Sequence, residues 1–166
     1  MPTQNITIRP MRKSDAKHVC KMVKALAAHF GDKAKVTERD LLTYCFGKEK
    51  LSTIFLAFDA DKPVGLAITR EWMNFYLGTK FCHIDFIFVE DKRRRSGTGA
   101  ALIAFVAQDA LKSGCRRLSL DVGIDNQAAR ALYEKLGFEK RGNISDHYRL
   151  SDTDLVKLAK RWGRKK

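Results

Sequence analysis

The fold is decided by residues 86–100, which read Phe-Ile-Phe-Val-Glu-Asp-Lys-Arg-Arg-Arg-Ser-Gly-Thr-Gly-Ala. The apolar stretch Phe86-Ile-Phe-Val89 predicts a strand, and Arg94-x-x-Gly97-x-Gly99 follows a turn and opens a helix. Glycine at both positions lets backbone amides approach an anion without a Cβ atom in the way. The helix N-terminus adds unpaired N–H groups and a favourable dipole, and the arginines add positive charge. The stretch therefore predicts an anion-binding loop between a strand and a helix.

The spacing of this loop excludes two well-known nucleotide motifs. It is not Gly-x-Gly-x-x-Gly, and no Lys-Ser/Thr follows Gly99, so neither a dinucleotide fingerprint nor a Walker-type loop is present. A glycine turn with only a structural role is the alternative. The arginines and the preceding apolar strand favour anion binding.

Length and composition indicate one folded domain over residues 1–166. The chain is 45% hydrophobic and 31% charged, with only three prolines, which is typical of a globular protein rather than a disordered one. No apolar run is long enough to cross a bilayer, and residues 1–12 lack the apolar core of a signal peptide. We therefore expect a cytoplasmic location.

Cysteine usage agrees with that location. The four cysteines are scattered through apolar stretches, with no Cys-x-x-Cys pair and no histidine at metal-ligand spacing. We expect buried free thiols and no metal site. The four are Cys20, Cys45, Cys82 and Cys115.

The net charge of +13, with a sequence pI near 9.8, indicates an anionic partner. Nucleic acid is one interpretation, and a phosphate-bearing cofactor is the other. The basic cluster at 92–95 adjoins the glycine loop, where phosphate binding explains it. The cluster at 160–166 is a basic tail, typical of a solvated helix end.

Periodicity along the chain predicts a mixed, mostly antiparallel α/β sheet with helices on both faces. The first helix has a candidate N-cap at Ser14-Asp15, and the second has a capping-box pattern at Thr37 and Asp40. The predicted order is strand 5–9, helix 16–30 with Val19, Met22, Val23, Leu26 and Phe30 buried, helix 37–46, strands 53–59, 64–72 and 79–89, helix 97–113 with Ala101, Leu102, Phe105, Val106 and Leu111 on its apolar face, strand 118–122, helix 126–136, strand 144–150 and helix 151–162.

Two motifs in this order resemble those of the GNAT superfamily of acetyl-CoA-dependent N-acetyltransferases. That family's central motif is Arg/Gln-x-x-Gly-x-Gly/Ala after a strand, and Arg94, Gly97 and Gly99 match it. Its second motif is an Asn, a helix carrying a Tyr, and Gly-Phe. The stretch Asn126-Gln-Ala-Ala-Arg-Ala-Leu-Tyr133-Glu-Lys-Leu-Gly137-Phe138 matches this second motif.

Within that superfamily the chain is similar to diamine (spermidine/spermine-type) acetyltransferases. The stretches that carry this likeness are 36–42, Phe46-Gly47, 84–89 and Arg149-Leu150. In that branch a Glu nine residues before the motif Arg acts on the substrate amine, and Asp85 stands there. The branch also carries acidic residues after the first helix, whereas residues 29–35 here are neutral or basic, so we expect a small primary amine or an amino-acid side-chain amine as acceptor.

The resemblance implies a role for each motif residue, with acetyl-CoA as cofactor and coenzyme A as product. Asp85 is the implied base or orienting group and Tyr133 the implied acid, with no metal. The implied cofactor-binding residues are Ile87, Phe88, Val89, Arg94, Arg95, Ser96, Gly97, Thr98, Gly99, Ala100, Asn126 and Ala129. The candidate substrate residues are His29, Phe30, His83 and Asp85.

Several residues have a second interpretation. His83 and Asp85 are two apart on a strand, so they could relay a proton, but His83 is equally a satisfied strand residue. Tyr133 lies two turns beyond Asn126 on the same helix face, yet a core aromatic is the alternative. Trp72, Phe75 and Tyr76 could line a pocket or a dimer contact.

Four interpretations of function stay open at this point. Transfer to a small amine is favoured, and the resemblance makes a homodimer the expected assembly. The alternatives are a polyamine acetyltransferase, a peptide or protein N-acetyltransferase, and a non-catalytic nucleic-acid-binding domain. The last lacks any recognised nucleic-acid motif, and its aromatic residues do not interleave with the basic runs.

Overall fold

Five strands form one sheet in chain order in the computed structural model, which describes residues 6–140. The strands are β1 (Ile6–Pro10), β2 (Thr53–Asp59), β3 (Lys62–Asn74), β4 (Thr79–Val89) and β5 (Cys115–Leu120). The helices are α1 (Ala16–His29), α2 (Glu38–Phe46), α3 (Thr98–Lys112) and α4 (Gln127–Lys135), with 3-10 turns at Lys13–Asp15 and Asp91–Arg93. Strands β1 to β4 pair antiparallel, and β5 pairs parallel to β4. The predicted mixed, mostly antiparallel sheet is confirmed.

Helices cover both faces of this sheet, as predicted. Alternation along β2 sends Leu56 into a cluster with Val19 and Leu26 of α1. Its neighbour Phe55 points the other way, and its ring lies 5.6 Å from that of Phe105 on α3. Strands with apolar residues on both sides are expected where both faces are covered, which explains the almost continuous apolar run of β2.

The predicted bounds agree closely for β2, β4 and the first three helices, and differ for β3 and β5. β3 begins at Lys62, because the turn before it needs only two residues, with Ala60 at φ 51°. β5 occupies Cys115–Leu120 rather than 118–122. Its register explains the shift, since the parallel pairing with β4 already begins at Lys80 and Cys115.

Two helix starts differ in how they are capped. Thr37 and Asp40 form the predicted capping box, with the Asp40 N–H donating to Thr37 Oγ1 at 3.2 Å and the Thr37 N–H donating to Asp40 Oδ2 at 2.8 Å. Asp15 is the N-cap residue of α1, at the predicted position, but its side chain makes no capping hydrogen bond to the helix. The Asp15 carboxylate instead accepts from the Arg12 N–H and from the Arg9 guanidinium, each at 2.7 Å, so it ties the preceding turn to β1.

Two residues assigned to buried helix faces are exposed. α1 ends at His29, and Phe30 beyond it is 66% exposed. Leu111 lies in the last turn of α3 and is 64% exposed. Both residues lie at the end of a helix. The helical spacing of apolar residues continues to these positions in the sequence, although the side chains there no longer pack against the sheet.

The chain divides into two compact units, with the boundary between Leu132 and Tyr133. The sheet and α1 to α3 belong to the first unit. The predicted strand 144–150, helix 151–162 and basic tail 160–166 lie outside the described residues, and the single domain over 1–166 stays a prediction. None of the helices within residues 6–140 combines the length and apolar character that crossing a membrane requires.

Candidate active site

The glycine loop forms the N-terminus of α3, as predicted. Gly97 is the N-cap at φ +89°, a left-handed conformation that favours glycine, and Arg95 also has a positive φ of 60°. The Ala101 N–H donates to the Gly97 carbonyl at 2.9 Å. The amides of Thr98, Gly99 and Ala100 lie before that bond and have no place in the helical ladder. The loop therefore presents a row of backbone donors at the positive end of a 15-residue helix.

Side chains within the loop fix its path. The Ser96 hydroxyl donates to the Arg93 carbonyl at 2.6 Å and lies 2.8 Å from the Thr98 hydroxyl. Thr98 itself is buried, so the hydroxyl pair anchors the loop to the protein. Among residues 6–140, no hydrogen bond from the backbone N–H groups of residues 95–100 is observed.

The three consecutive arginines have different surroundings. Arg93 forms an ion pair with Asp59 at the end of β2, so it fastens the turn to the sheet. Arg94 contacts Asp91 at 2.8 Å and donates from Nε to the Val89 carbonyl at 3.3 Å. Arg94 and Arg95 are exposed beside the loop, where each can reach an anion.

β4 offers an open backbone edge next to the loop. Pairing with β5 ends at Ile84 and Leu120, while β4 continues to Val89. The backbone from 85 to 89 is therefore unpaired on the β5 side within the described residues. Phe88 is buried in the core cluster, so its side chain is unavailable to a ligand and only its backbone faces this edge. An unpaired strand edge can accept another extended chain through main-chain hydrogen bonds.

Asp85 lies at a β-bulge. Ile68 pairs with Phe86 and Thr69 pairs with Ile84, so Asp85 is an extra residue on β4 without a partner on β3. Bulges redirect a side chain and are common beside active sites. The carboxylate accepts a hydrogen bond from Arg70 Nε at 2.8 Å, which sequence reasoning did not anticipate. In the sequence, Arg70 stands out only as a charged residue that directly follows the apolar run of β3.

His83 is held by β5. Its Nδ1 lies 2.8 Å from the Ser119 hydroxyl, and its Nε2 lies 3.6 Å from the exposed carboxylate of Asp121. No hydrogen bond joins His83 to Asp85 among residues 6–140. The contacts support the interpretation of His83 as a satisfied strand residue, and the proton relay stays a prediction.

The second motif contributes three of the predicted residues: Asn126 just before α4, and Ala129 and Tyr133 within it. Asn126 Oδ1 accepts from the Ala129 N–H at 3.1 Å, so the Asn126 side chain caps the start of α4. Tyr133 is 8% exposed, and its ring lies 5.9 Å from that of Phe138. Burial raises the pKa of the Tyr133 phenol, because the charged phenolate is poorly solvated there.

The remaining substrate candidates, His29 and Phe30, are exposed at the C-terminal end of α1, in an edge contact with ring centroids 5.5 Å apart. They lie on a different element from His83 and Asp85. Their role in substrate binding stays a prediction.

Cysteine environments agree with the sequence in three of four positions. Cys20, Cys82 and Cys115 are buried free thiols, and Cys45 is only half-buried. Burial raises the pKa of the Cys82 thiol to about 12. Within the part of the chain that the structure describes, no group of three or more His, Cys, Asp or Glu residues is arranged to hold a metal ion.

Comparisons with known proteins place this chain among acetyltransferases. The family described as the acetyltransferase (GNAT) family matches residues 21–138, well over half of the chain. N-acetyltransferase 8 of Homo sapiens is 30% identical over 111 residues, which cover 67% of this chain and 49% of the relative. The chain thus spans about half the length of that relative. Thialysine N-epsilon-acetyltransferase of Sus scrofa is 25% identical over 142 residues, covering 80% of this chain and 84% of the relative.

Solved structures show the same fold. An integron cassette protein from the mobile metagenome of V. cholerae superposes with a TM-score of 0.78 at 22% identity, covering 93% of this chain and 98% of that one.

Proposed function

Because the chain belongs to the acetyltransferase (GNAT) family, whose enzymes are acyltransferases that use acetyl-CoA, we propose that it moves an acetyl group from acetyl-CoA to a primary amine. The amine attacks the thioester directly in a ternary complex. The observation that carries this proposal is the open edge of β4 leading straight into the amide-lined loop at the N-terminus of α3. An extended arm ending in a pyrophosphate fits such an edge and loop.

Cofactor binding falls to backbone groups more than to side chains. The β4 backbone at Ile87 and Val89 pairs with the pantetheine arm as an added strand would. The amides from Arg95 to Ala100 hold the pyrophosphate, and Arg94 and Arg95 supply mobile charge. Asn126 and Ala129 approach the pantetheine at the start of α4. The left-handed Gly97 supports this assignment, because nothing within 4 Å would contact a Cβ there and the space beside the amides is open.

Asp85 acts on the acceptor amine. An ammonium cannot attack a thioester, so the bound amine must lose its proton, directly or through a water, and a carboxylate can accept it. The bulge leaves Asp85 without a direct partner on β3, and the carboxylate is held by the Arg70 Nε at 2.8 Å. The Asp85 side chain is about three-quarters buried, so its charge is only partly screened by water.

Tyr133 is the proton donor to the departing thiolate. A phenol serves as an acid only while it is protonated, and burial keeps Tyr133 in that form at neutral pH and above. Protonating the sulfur completes the collapse of the tetrahedral intermediate to amide and thiol.

The acceptor is a small primary amine or an amino-acid side-chain amine. One relative, thialysine N-epsilon-acetyltransferase, acts on a side-chain amine according to its name. The similarity to this chain covers 84% of that relative. The charge of +13 and the neutral-to-basic segment 29–35 disfavour a polycation. Spermidine, a peptide N-terminus and nucleic acid remain the competing ligands.

A homodimer is the proposed assembly. Phe75 and Tyr76 at the tip of the β3–β4 hairpin are almost fully exposed, and Trp72 beside them is partly so. Apolar surface of this kind marks interaction sites on soluble proteins. Light scattering on the full chain should give the mass of two copies, and a monomer at all concentrations would remove this part of the proposal.

The decisive experiment is an acceptor panel with acetyl-CoA, read by thiol release and by mass spectrometry of the amine. The panel contains lysine, short monoamines, spermidine, a lysine-containing peptide and a peptide with only its N-terminal amine. Acetylation of a small amine supports the proposal. Thiol release without an acetylated amine, or acetylation of peptides alone, contradicts it.

A further inference from the structure

Three neighbouring strands carry two adjacent rows of side chains, and Arg70 in the first row contacts Asp85. Arg70, His83 and Ser119 are paired across β3, β4 and β5, and Trp72, Phe81 and Arg117 are paired in the next row. Residues that face each other across paired strands project on the same side of a sheet. Contacts between the side chains agree, since the ring of Trp72 lies 5.7 Å from that of Phe81 and 6.2 Å from that of His83.

The two arginines on this surface frame the aromatic residues. The Arg117 guanidinium lies over Phe81, 4.6 Å from the ring centroid. The Arg70 guanidinium lies 5.8 Å from the Trp72 ring while its Nε bonds to Asp85. Flat cations stacked on aromatic rings keep their hydrogen-bonding edges free for another group.

Arg70 uses only part of its donor capacity. Its bond to Asp85 engages Nε alone, and its terminal Nη groups make no hydrogen bond to residues 6–140. The side chain is 57% exposed, so those groups are open to a ligand. A guanidinium with a free edge matches the two oxygens of a carboxylate in geometry and charge.

The charges of Asp85 and Arg70 disfavour a diamine as acceptor and favour an amine that also carries a carboxylate. An amine approaching Asp85 must come close to Arg70, and Arg70 repels the second ammonium of a diamine. An acceptor with a carboxylate gains an attraction at the same place. We propose that Arg70 binds a carboxylate of the acceptor, so that the enzyme selects a primary amine carrying an anionic group in the same small molecule. This inference rests on the proposed acetyl transfer and on Asp85 as the group nearest the amine.

Lysine and cadaverine form the matched pair of probes, because they present the same alkyl amine and differ by the carboxylate. With the full-length protein and saturating acetyl-CoA, kcat/KM for lysine should exceed that for cadaverine by roughly tenfold or more, the size expected for one charge-assisted contact. In Arg70→Gln this preference should fall to near unity through a raised KM for lysine. Arg70→Lys keeps the positive charge but not the paired N–H donors of the guanidinium, so it should restore part of the preference for lysine.

Arg39→Gln on α2 removes the same charge from another element and should leave the lysine-to-cadaverine ratio unchanged. A parent enzyme that acetylates both probes equally would overturn the inference while leaving the acetyl transfer standing. So would an Arg70→Gln variant that loses activity toward both in equal proportion, because Arg70 would then serve only to position Asp85. Failure of the parent to acetylate any amine would instead refute the proposed function, and the inference with it.

Discussion

Arg70 and Asp85 are joined across β3 and β4 by a 2.8 Å hydrogen bond from the guanidinium Nε to the carboxylate Oδ1. The bond exists because Asp85 is the extra residue of a bulge, which frees its side chain from a direct partner on β3. The carboxylate is thus fixed in direction and partly neutralised before any acceptor binds. A fixed carboxylate loses less entropy when it receives an amine.

Asp85→Asn keeps the size of the side chain and removes its charge and basicity. We expect turnover to fall by about 10²-fold, because general-base assistance is lost. Acetyl-CoA affinity should change little, since the loop proposed to hold the pyrophosphate lies at the N-terminus of α3, away from Asp85 on β4. Steady-state kinetics and cofactor titration measure the two quantities separately. Unchanged turnover would reassign Asp85 to a structural role.

Gly97→Val tests the anion loop. Acetyl-CoA at about a hundredfold over its dissociation constant should stabilise the parent by roughly 2.7 kcal/mol. Valine disfavours the φ of +89° at this position, so the loop must change its path and the cofactor-induced rise in Tm should largely disappear.

Gly99→Ala is the matched control for that loop. A Cβ at Gly99 meets its nearest neighbour, Leu132 Cδ2, at 3.7 Å, an ordinary contact. The family's motif allows alanine at this second position, so a single Cβ there should be compatible with the anion and the variant should keep the cofactor shift. Equal cofactor shifts in the parent and in Gly97→Val would mean that the loop does not bind the pyrophosphate.

Tyr133→Phe removes one hydroxyl from a buried ring. Turnover should fall by roughly 10- to 10³-fold, with acetyl-CoA affinity within a few-fold of the parent. Because burial raises the phenol pKa, ionisation of Tyr133 should not reduce parent turnover until the pH exceeds its ordinary value of about 10. A Phe variant with full turnover at every pH would leave protonation of the thiolate to water.

Asp15→Asn tests the ion pair that anchors the start of α1. The Arg9 guanidinium holds the pKa of Asp15 below its ordinary value, so the carboxylate stabilises the fold above the unfolded pKa of about 4. That contribution is lost as pH falls through the lower folded pKa. Chemical denaturation should show a loss of roughly 1 kcal/mol in the variant at neutral pH, which shrinks toward pH 2. A pH-independent difference would show that packing, not charge, is involved.

The sheet and the loop were predictable because both leave short-range signals. Apolar and polar residues alternate too little from Val64 to Thr69 to show which side chains face the core, yet the length of the run and its flanking turn residues indicate a strand. The glycines of the loop mark the left-handed turn at Gly97. The parallel start of β5 at Cys115 was not predictable, because register depends on the partner strand rather than on local periodicity.

The surroundings of Asp85 depend on pairing across strands. The bulge exists only in the register between β3 and β4, so the sequence could place Asp85 on a strand but could not bring Arg70 to it. The same limit applies to Ser119, which reaches His83 from β5. The predicted burial of Phe30 was wrong for a different reason. The helical spacing of apolar residues continues in the sequence past His29, where α1 ends.

The most direct test of acetyl transfer is to mix the protein with acetyl-CoA labelled in the acetyl group and with lysine, and to follow label and thiol together. Transfer by direct attack predicts one labelled amide per coenzyme A released, no label retained on the protein after denaturation, and no thiol release without an amine. Retention of label on a side chain, or thiol release that yields free acetate instead of amide, would contradict it.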